Sequence, residues 1–197
     1  GENMTEINLL FSIDDRYVEQ FKTTLYSVYL NSPSALLHLF VLQKKLLKRN
    51  VEIEEFCEAL GIIYEPVVIG EKAFEDAPST DRYPETIYYR LLAHEYLPKN
   101  LDRILYLDAD ILCLNDICPL YKLEMGNALY AAASHGSDAN MTDLVNKMRL
   151  QNFEAESYYN SGVLLMNLTS IRKEVKREAI LDYIAQNSFK LFLPDQD

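Results

Sequence analysis

Tryptophan is absent from this chain of 197 residues, glycine appears six times and cysteine three times. No Lys/Arg cluster and no long apolar run stands out. Each shortage excludes something. A duplex-binding protein neutralises phosphates with clustered Lys and Arg, and a formal net charge of −11 argues against a nucleic-acid partner. With so few glycines there is no G-x-G-x-x-G turn after the first apolar segment, which disfavours a dinucleotide-binding Rossmann protein. Cys57, Cys113 and Cys118 lack the His or second Cys pair that a zinc site needs. An odd cysteine count without a secretory leader points to a reducing, cytoplasmic setting. The longest early apolar stretch, Leu9 to Ile13, is interrupted by Ser12 and is too short for a signal core or a membrane span.

What is present is an ordinary globular composition, with 49% hydrophobic and 25% charged residues. The length suits one domain with a sizeable core. Residues 1–3 read as a tag remnant ahead of Met4, leaving residues 4–197 as a single domain. Tyrosine dominates the aromatics, 14 against 8 Phe. Its apolar body and polar tip suit the lining of a polar cleft, or equally a half-buried surface.

Short apolar runs predict strands at Ile7 to Ile13, Leu36 to Leu42, Ile62 to Ile69, Arg103 to Leu107, Ala128 to Ala133 and Tyr159 to Asn167. Helical spacing follows the first run (Tyr17, Phe21, Leu25, Val28, closed by Pro33) and the second (Val51, Phe56, Leu60, capped by Gly61). A third helix is expected over Thr86 to Leu97. A long one is expected over Leu168 to Gln186, with Ile171, Val175, Ala179, Tyr183 and Ile184 facing the core. Continuously apolar strands alternating with helices predict an α/β fold whose mostly parallel sheet is covered on both faces. In such sheets ligands gather at the carboxyl ends of strands.

Three predicted strand ends are acidic: Asp14-Asp15, Asp108-Ala109-Asp110 and Asp195-Gln196-Asp197. A single acidic end reads equally well as a turn former or helix cap. Three on one edge repel one another unless a cation intervenes. In extended chain, residues two apart point the same way. Asp108 and Asp110 can therefore grip one hard divalent cation that keeps open positions for phosphate oxygens. An acidic protein can bind an anionic nucleotide by that route.

The segment LYLDADIL, with Y-x-R-L upstream (Tyr88 to Leu91) and YYNSGVLLMN downstream, resembles family 8 glycosyltransferases. The opening LLFSIDDRY and the closing DQD extend the resemblance over nearly the whole chain. The family includes bacterial lipopolysaccharide galactosyl- and glucosyltransferases and the glycogenin branch. The resemblance implies a GT-A fold: one Rossmann-like, mostly parallel sheet flanked by helices. It implies Mn2+ (or Mg2+) held by Asp108 and Asp110, and a UDP-sugar donor contacted by Ser12, Asp14, Arg90, Ala109, Asn160 and Ser161. Asp195 and Gln196, with Asn160, match positions at the reacting sugar. Family members transfer a hexose with retention to a carbohydrate or glycolipid acceptor, which implies a cytoplasmic enzyme at the inner face of the membrane.

Two departures stand out. The family's further metal-binding histidine and the lysine after it have no match, so the C-terminal side reads as truncated. Ser134-His135-Gly136 stands where many relatives have an aspartate. Of the other histidines, His38 reads as a core or edge residue and His94 as surface. The alternative readings are a catalytically inactive sugar-nucleotide-binding protein and a haloacid-dehalogenase-type phosphatase. The phosphatase also places D-x-D after an apolar strand, but its motif opens the fold and continues with Thr or Val, where this chain has Ile111.

Overall fold

The computed structural model describes residues 3–75, 77, 86–133, 145–149 and 161–192. β1 (Thr5–Ser12) leads through a 3₁₀ turn (Asp15–Tyr17) into α1 (Val18–Asn31). β2 (Ala35–Gln43), α2 (Asn50–Leu60) and β3 (Ile63–Val68) follow. α3 (Thr86–Leu91) precedes β4 (Arg103–Leu107), and a short α4 (Cys118–Tyr121) precedes β5 (Tyr130–Ala133). β6 (Val145–Met148), β7 (Val163–Asn167), α5 (Leu168–Glu174) and α6 (Arg177–Phe192) complete the described chain. All the strands join one seven-stranded sheet in the order β3-β2-β1-β4-β7-β5-β6.

The sheet has two halves. β1 pairs in parallel with β2 and β4, and β2 with β3. Beyond β4 every pairing is antiparallel: β4 with β7, β7 with β5, and β5 with β6. The α/β class and the helix-flanked sheet agree with the sequence reading, while the parallel character is confined to the first half. The reason is connectivity. Helices carry the chain back between β1, β2 and β3, as parallel neighbours require, whereas β7 enters the sheet from the opposite end.

Alternate residues of the strands feed two cores. Ile7, Leu9 and Phe11 of β1 pack with Phe21, Leu25 and Val28 of α1 and with Ile53 and Cys57 of α2. Leu10, Phe40, Ile104 and Tyr106 pack on the other face with Tyr88, Leu91 and Leu92, and with Leu168 and Ile171 of α5. Both faces are thus covered, which is why the strands read as continuously apolar. Each fully buried Leu or Phe contributes about 1.5–3 kcal/mol relative to exposure. α2 stops where expected: Gly61 takes a left-handed φ of 70° and its N–H bonds back to Glu58.

Three sequence expectations need correction. The helix expected over Thr86 to Leu97 is α3 followed by a 3₁₀ turn at Ala93–Glu95, tightened by the Glu95 N–H bond to Leu92 O. The long helix after Asn167 is two helices, because Val175 goes extended between them. That break moves the buried stripe, so that Ala179 is exposed and Ile180 is buried in its place. His94, expected at the surface, is half-buried, and desolvation holds its imidazole below the ordinary pKa against the opposing pull of Glu95. The strand β6 has no counterpart in the sequence reading, since its four residues carry too little pattern.

Candidate functional site at one edge of the sheet

The parallel half delivers Ser12 and Asp108 to the same sheet edge. Leu10 lies opposite Tyr106, so two residues further on the chain leaves the sheet at Ser12 and at Asp108. The antiparallel half delivers a different end of strand to that edge. Val163 opens β7 opposite Leu107, and the Asp108 N–H donates to Gly162 O at 2.9 Å. The segment before β7 therefore lies beside the D-x-D turn.

Tyr106 organises this edge. It is two residues before Asp108 and shares its side of the strand. Its hydroxyl donates to Asp108 Oδ1 at 2.7 Å. Burial pushes the Tyr106 hydroxyl well above the usual tyrosine pKa, so it remains a proton donor. Asp108 is partly buried and Asp110 is exposed, while Ala109 packs against the core beneath α1. The other oxygen of Asp108 has no hydrogen bond among the described residues, which leaves it open to a cation.

Arg90, near the end of α3, is only 8% exposed. Its guanidinium lies over the Tyr106 ring, 5.1 Å from the centroid, and Nη1 donates to Ser161 O at 3.0 Å. A cation over an aromatic face in a desolvated setting is held firmly. Arg90 thus ties α3 to β4 and to the start of β7 in one contact set. Ser161 itself is buried. Its hydroxyl lies within donating distance of Val163 O (2.6 Å) and Ala133 O (3.2 Å). It fastens β5 to β7, so what it presents to Arg90 is its carbonyl.

The first acidic turn is committed locally. Asp14 accepts the Arg16 N–H at 2.8 Å, capping the 3₁₀ turn, and pairs with the Arg16 guanidinium at 2.8 Å. The Arg16 hydrogen bond holds the Asp14 carboxyl below its ordinary pKa. Asp15 accepts the N–H groups of Lys48 and Arg49, each at 3.2 Å, and so anchors the loop after β2. Asn160, Asp195 and Gln196 lie outside the described residues, as do Ser134, His135 and Gly136.

Of the residues that the sequence singles out, Ser12, Arg90, Asp108, Ala109, Asp110 and Ser161 lie at one edge of the sheet. The sequence pattern misses Tyr106, which it marks only as a strand residue. The signal was available: a tyrosine two positions before a carboxylate in a strand shares its face.

The donor set fits a hard divalent cation, being carboxylate oxygens at a strand end with one oxygen already oriented. Among the described residues, no group of three or more His, Cys, Asp or Glu side chains gathers to hold a metal. Asp108 and Asp110 are the pair that would do so.

Comparison with known proteins points one way. The profile of Glycosyl transferase family 8 matches residues 8–197. A lipopolysaccharide 1,2-glucosyltransferase of Escherichia coli is 30% identical over 196 residues, covering 96% of this chain and 56% of that protein. A lipopolysaccharide 1,3-galactosyltransferase of Salmonella typhimurium (strain LT2) is 26% identical over 168 residues, covering 83% and 49% respectively. The chain thus spans about half the length of the curated relatives it matches. Among solved structures, the galactosyltransferase LgtC in complex with donor and acceptor sugar analogues superposes with a TM-score of 0.70. It is 23% identical, with 97% of this chain and 68% of that one covered, which establishes the GT-A fold.

Proposed function

The chain belongs to glycosyl transferase family 8, and from that premise we propose that it is the nucleotide-sugar-binding and catalytic domain, residues 4–197, of a hexosyltransferase. The donor is a UDP-sugar carrying glucose or galactose, the acceptor a carbohydrate or glycolipid, and transfer retains the anomeric configuration. The observation that carries this reading is the convergence of Asp108, Asp110 and Arg90 at one sheet edge, with Arg90 and Asp108 held through the single ring of Tyr106.

In this reading Asp108 and Asp110 hold manganese or magnesium. When bound, the ion neutralises charge on the departing diphosphate and orients it. The residues of the chain do the rest. Tyr106 keeps Asp108 in one rotamer. Arg90, fixed on Ser161 O, presents positive charge towards the donor's diphosphate. Ser12, at the end of β1, and Asp14 line the nucleoside side, Asp14 once it exchanges part of its contact with Arg16. Asn160, Asp195 and Gln196 act at the transferred sugar, with the Gln196 amide oxygen supporting positive charge at the anomeric carbon. Cys57, Cys113 and Cys118 are free and buried, which suits a reducing compartment, and we place the enzyme in the cytoplasm at the inner face of the membrane. No helix among the described residues is long and apolar enough to cross a membrane. The phosphatase alternative is set aside by the family match.

Calorimetric titration of UDP, with and without manganese, tests the proposal. Binding is expected to require manganese and to vanish in Asp108→Ala, which keeps the fold but loses about 1–3 kcal/mol of stability because the buried Tyr106 hydroxyl loses its acceptor. Metal-independent binding, or an Asp108→Ala variant that binds like the parent, would remove the metal assignment. Manganese-dependent binding without sugar transfer would favour the inactive sugar-nucleotide-binding protein.

A further inference from the structure

The chain between Asp108 and Ile117 forms no regular helix or strand, so its backbone polar groups need partners from elsewhere. They find them on one helix. Thr24 Oγ1 lies 2.7 Å from Ala109 O and 2.6 Å from Ile111 O. Ser27 Oγ accepts the Cys113 N–H at 2.9 Å and donates to Thr24 O at 2.6 Å. Asn31 Nδ2 donates to Cys113 O at 2.9 Å. Ser32 Oγ, just beyond the helix, accepts the Ile117 N–H at 3.1 Å. Thr24, Ser27 and Ser32 are all nearly inaccessible to solvent, at 1%, 6% and 2%. A polar stripe along α1 thus takes the place of a strand partner for this segment.

Thr24 has a special place in that stripe. The two carbonyls it engages flank Asp110, one on either side. Both turn inward to the same hydroxyl, so the chain bends round Thr24 and carries the Asp110 side chain outward, where it is exposed. We propose that Thr24 is a positioning residue for the cation site, setting the angle at which Asp110 meets the ion while Tyr106 sets that of Asp108. The inference rests on the metal-site reading given above. Thr24 touches neither substrate nor ion; it acts through the backbone of residues 109–111, in the way that groups behind metal ligands orient them.

The test compares variants of this chain for manganese binding, read by the paramagnetic resonance of free Mn2+ and by calorimetry of UDP in the presence of manganese. Thr24→Val keeps the shape and removes the hydroxyl. It is expected to weaken manganese binding roughly tenfold or more, and Thr24→Ser is expected to restore it. Ser27→Ala removes a buried hydroxyl from the same helix, but one that grips Cys113, three residues past Asp110. It is expected to lower the melting temperature while changing manganese affinity less than about twofold. Unchanged affinity in Thr24→Val, or equal weakening by Ser27→Ala, would reduce Thr24 to a fold residue and overturn the proposal. Thr24→Cys, whose thiol is a weak donor, replaces the valine variant if that one does not fold, and unchanged affinity there overturns it equally. A parent protein that binds no UDP with manganese fails at the earlier step and takes the metal-site reading down with this inference.

Discussion

Arg90 is a charged side chain with little access to solvent, and its contacts explain its tolerance there. The Tyr106 ring and the Ser161 carbonyl replace part of the water it loses. Arg90→Ala is expected to weaken UDP binding by about 1.5–3 kcal/mol, the range for a charge-assisted hydrogen bond. Calorimetry reads this directly, and unchanged affinity would strip Arg90 of its role. His94 makes a second residue-scale case. Burial lowers its folded-state pKa, opposed by Glu95 and reinforced by the charge of Arg172. The unfolded chain therefore takes up the proton first as pH falls. The His94 contribution to stability is full above about pH 6.5 and is lost progressively below it, through the depressed folded value. Thermal melts between pH 7.5 and 5 should show the parent losing stability more steeply than His94→Gln. Parallel curves would mean that the imidazole does not titrate between the two states.

At the scale of single elements, termini matter more than interiors. α2 ends because Gly61 turns left-handed, and nothing crowds the position where a Cβ would stand. The cost of Gly61→Ala is thus backbone strain alone, expected at about 1 kcal/mol in urea unfolding. A neutral result would show that the Ile62 N–H bond to Cys57 O holds the turn whatever residue occupies position 61. α5 begins on Asn167, whose side-chain oxygen caps Ser170 N while its amide donates to Ala128 O. One residue thereby ends β7, starts α5 and pins the chain ahead of β5. Apolar patterning places Asn167 in its strand and carries the following helix through Val175. Helical spacing continues past Val175 in the sequence, but Ile180 reaches the second core only after a break in direction. Local periodicity carries no record of such a break.

Across the whole molecule, β7 is the seam. It binds the parallel half through β4 and the antiparallel half through β5, with Leu165 opposite both Leu105 and Ala131. Leu165 is fully buried, and Leu165→Ala is expected to cost about 2–5 kcal/mol, measured by denaturant unfolding. A smaller loss would mean that the two halves close up around the gap.

The amino-acid sequence alone carries the α/β class, the positions of β1, β2, β3 and β4 to within a residue or two, and the Gly61 cap. All of these depend on residues close together in the chain: apolar runs, and a glycine after a helix. Strand direction does not. The pattern of residues 163–167 reads the same whether β7 runs with β4 or against it. Were β7 parallel, its beginning, with Ser161, would emerge at the far edge of the sheet, a full strand length from Asp108. Only tertiary pairing brings that end round to the D-x-D turn, lets Ser161 O meet Arg90, and stacks Arg90 on Tyr106. It also sets Thr24 against Ala109 and Ile111, 85 and 87 residues away in the chain. Contacts at such separations follow from which strands and helices pack together, a choice made by burial of the two cores and not by any short stretch of sequence.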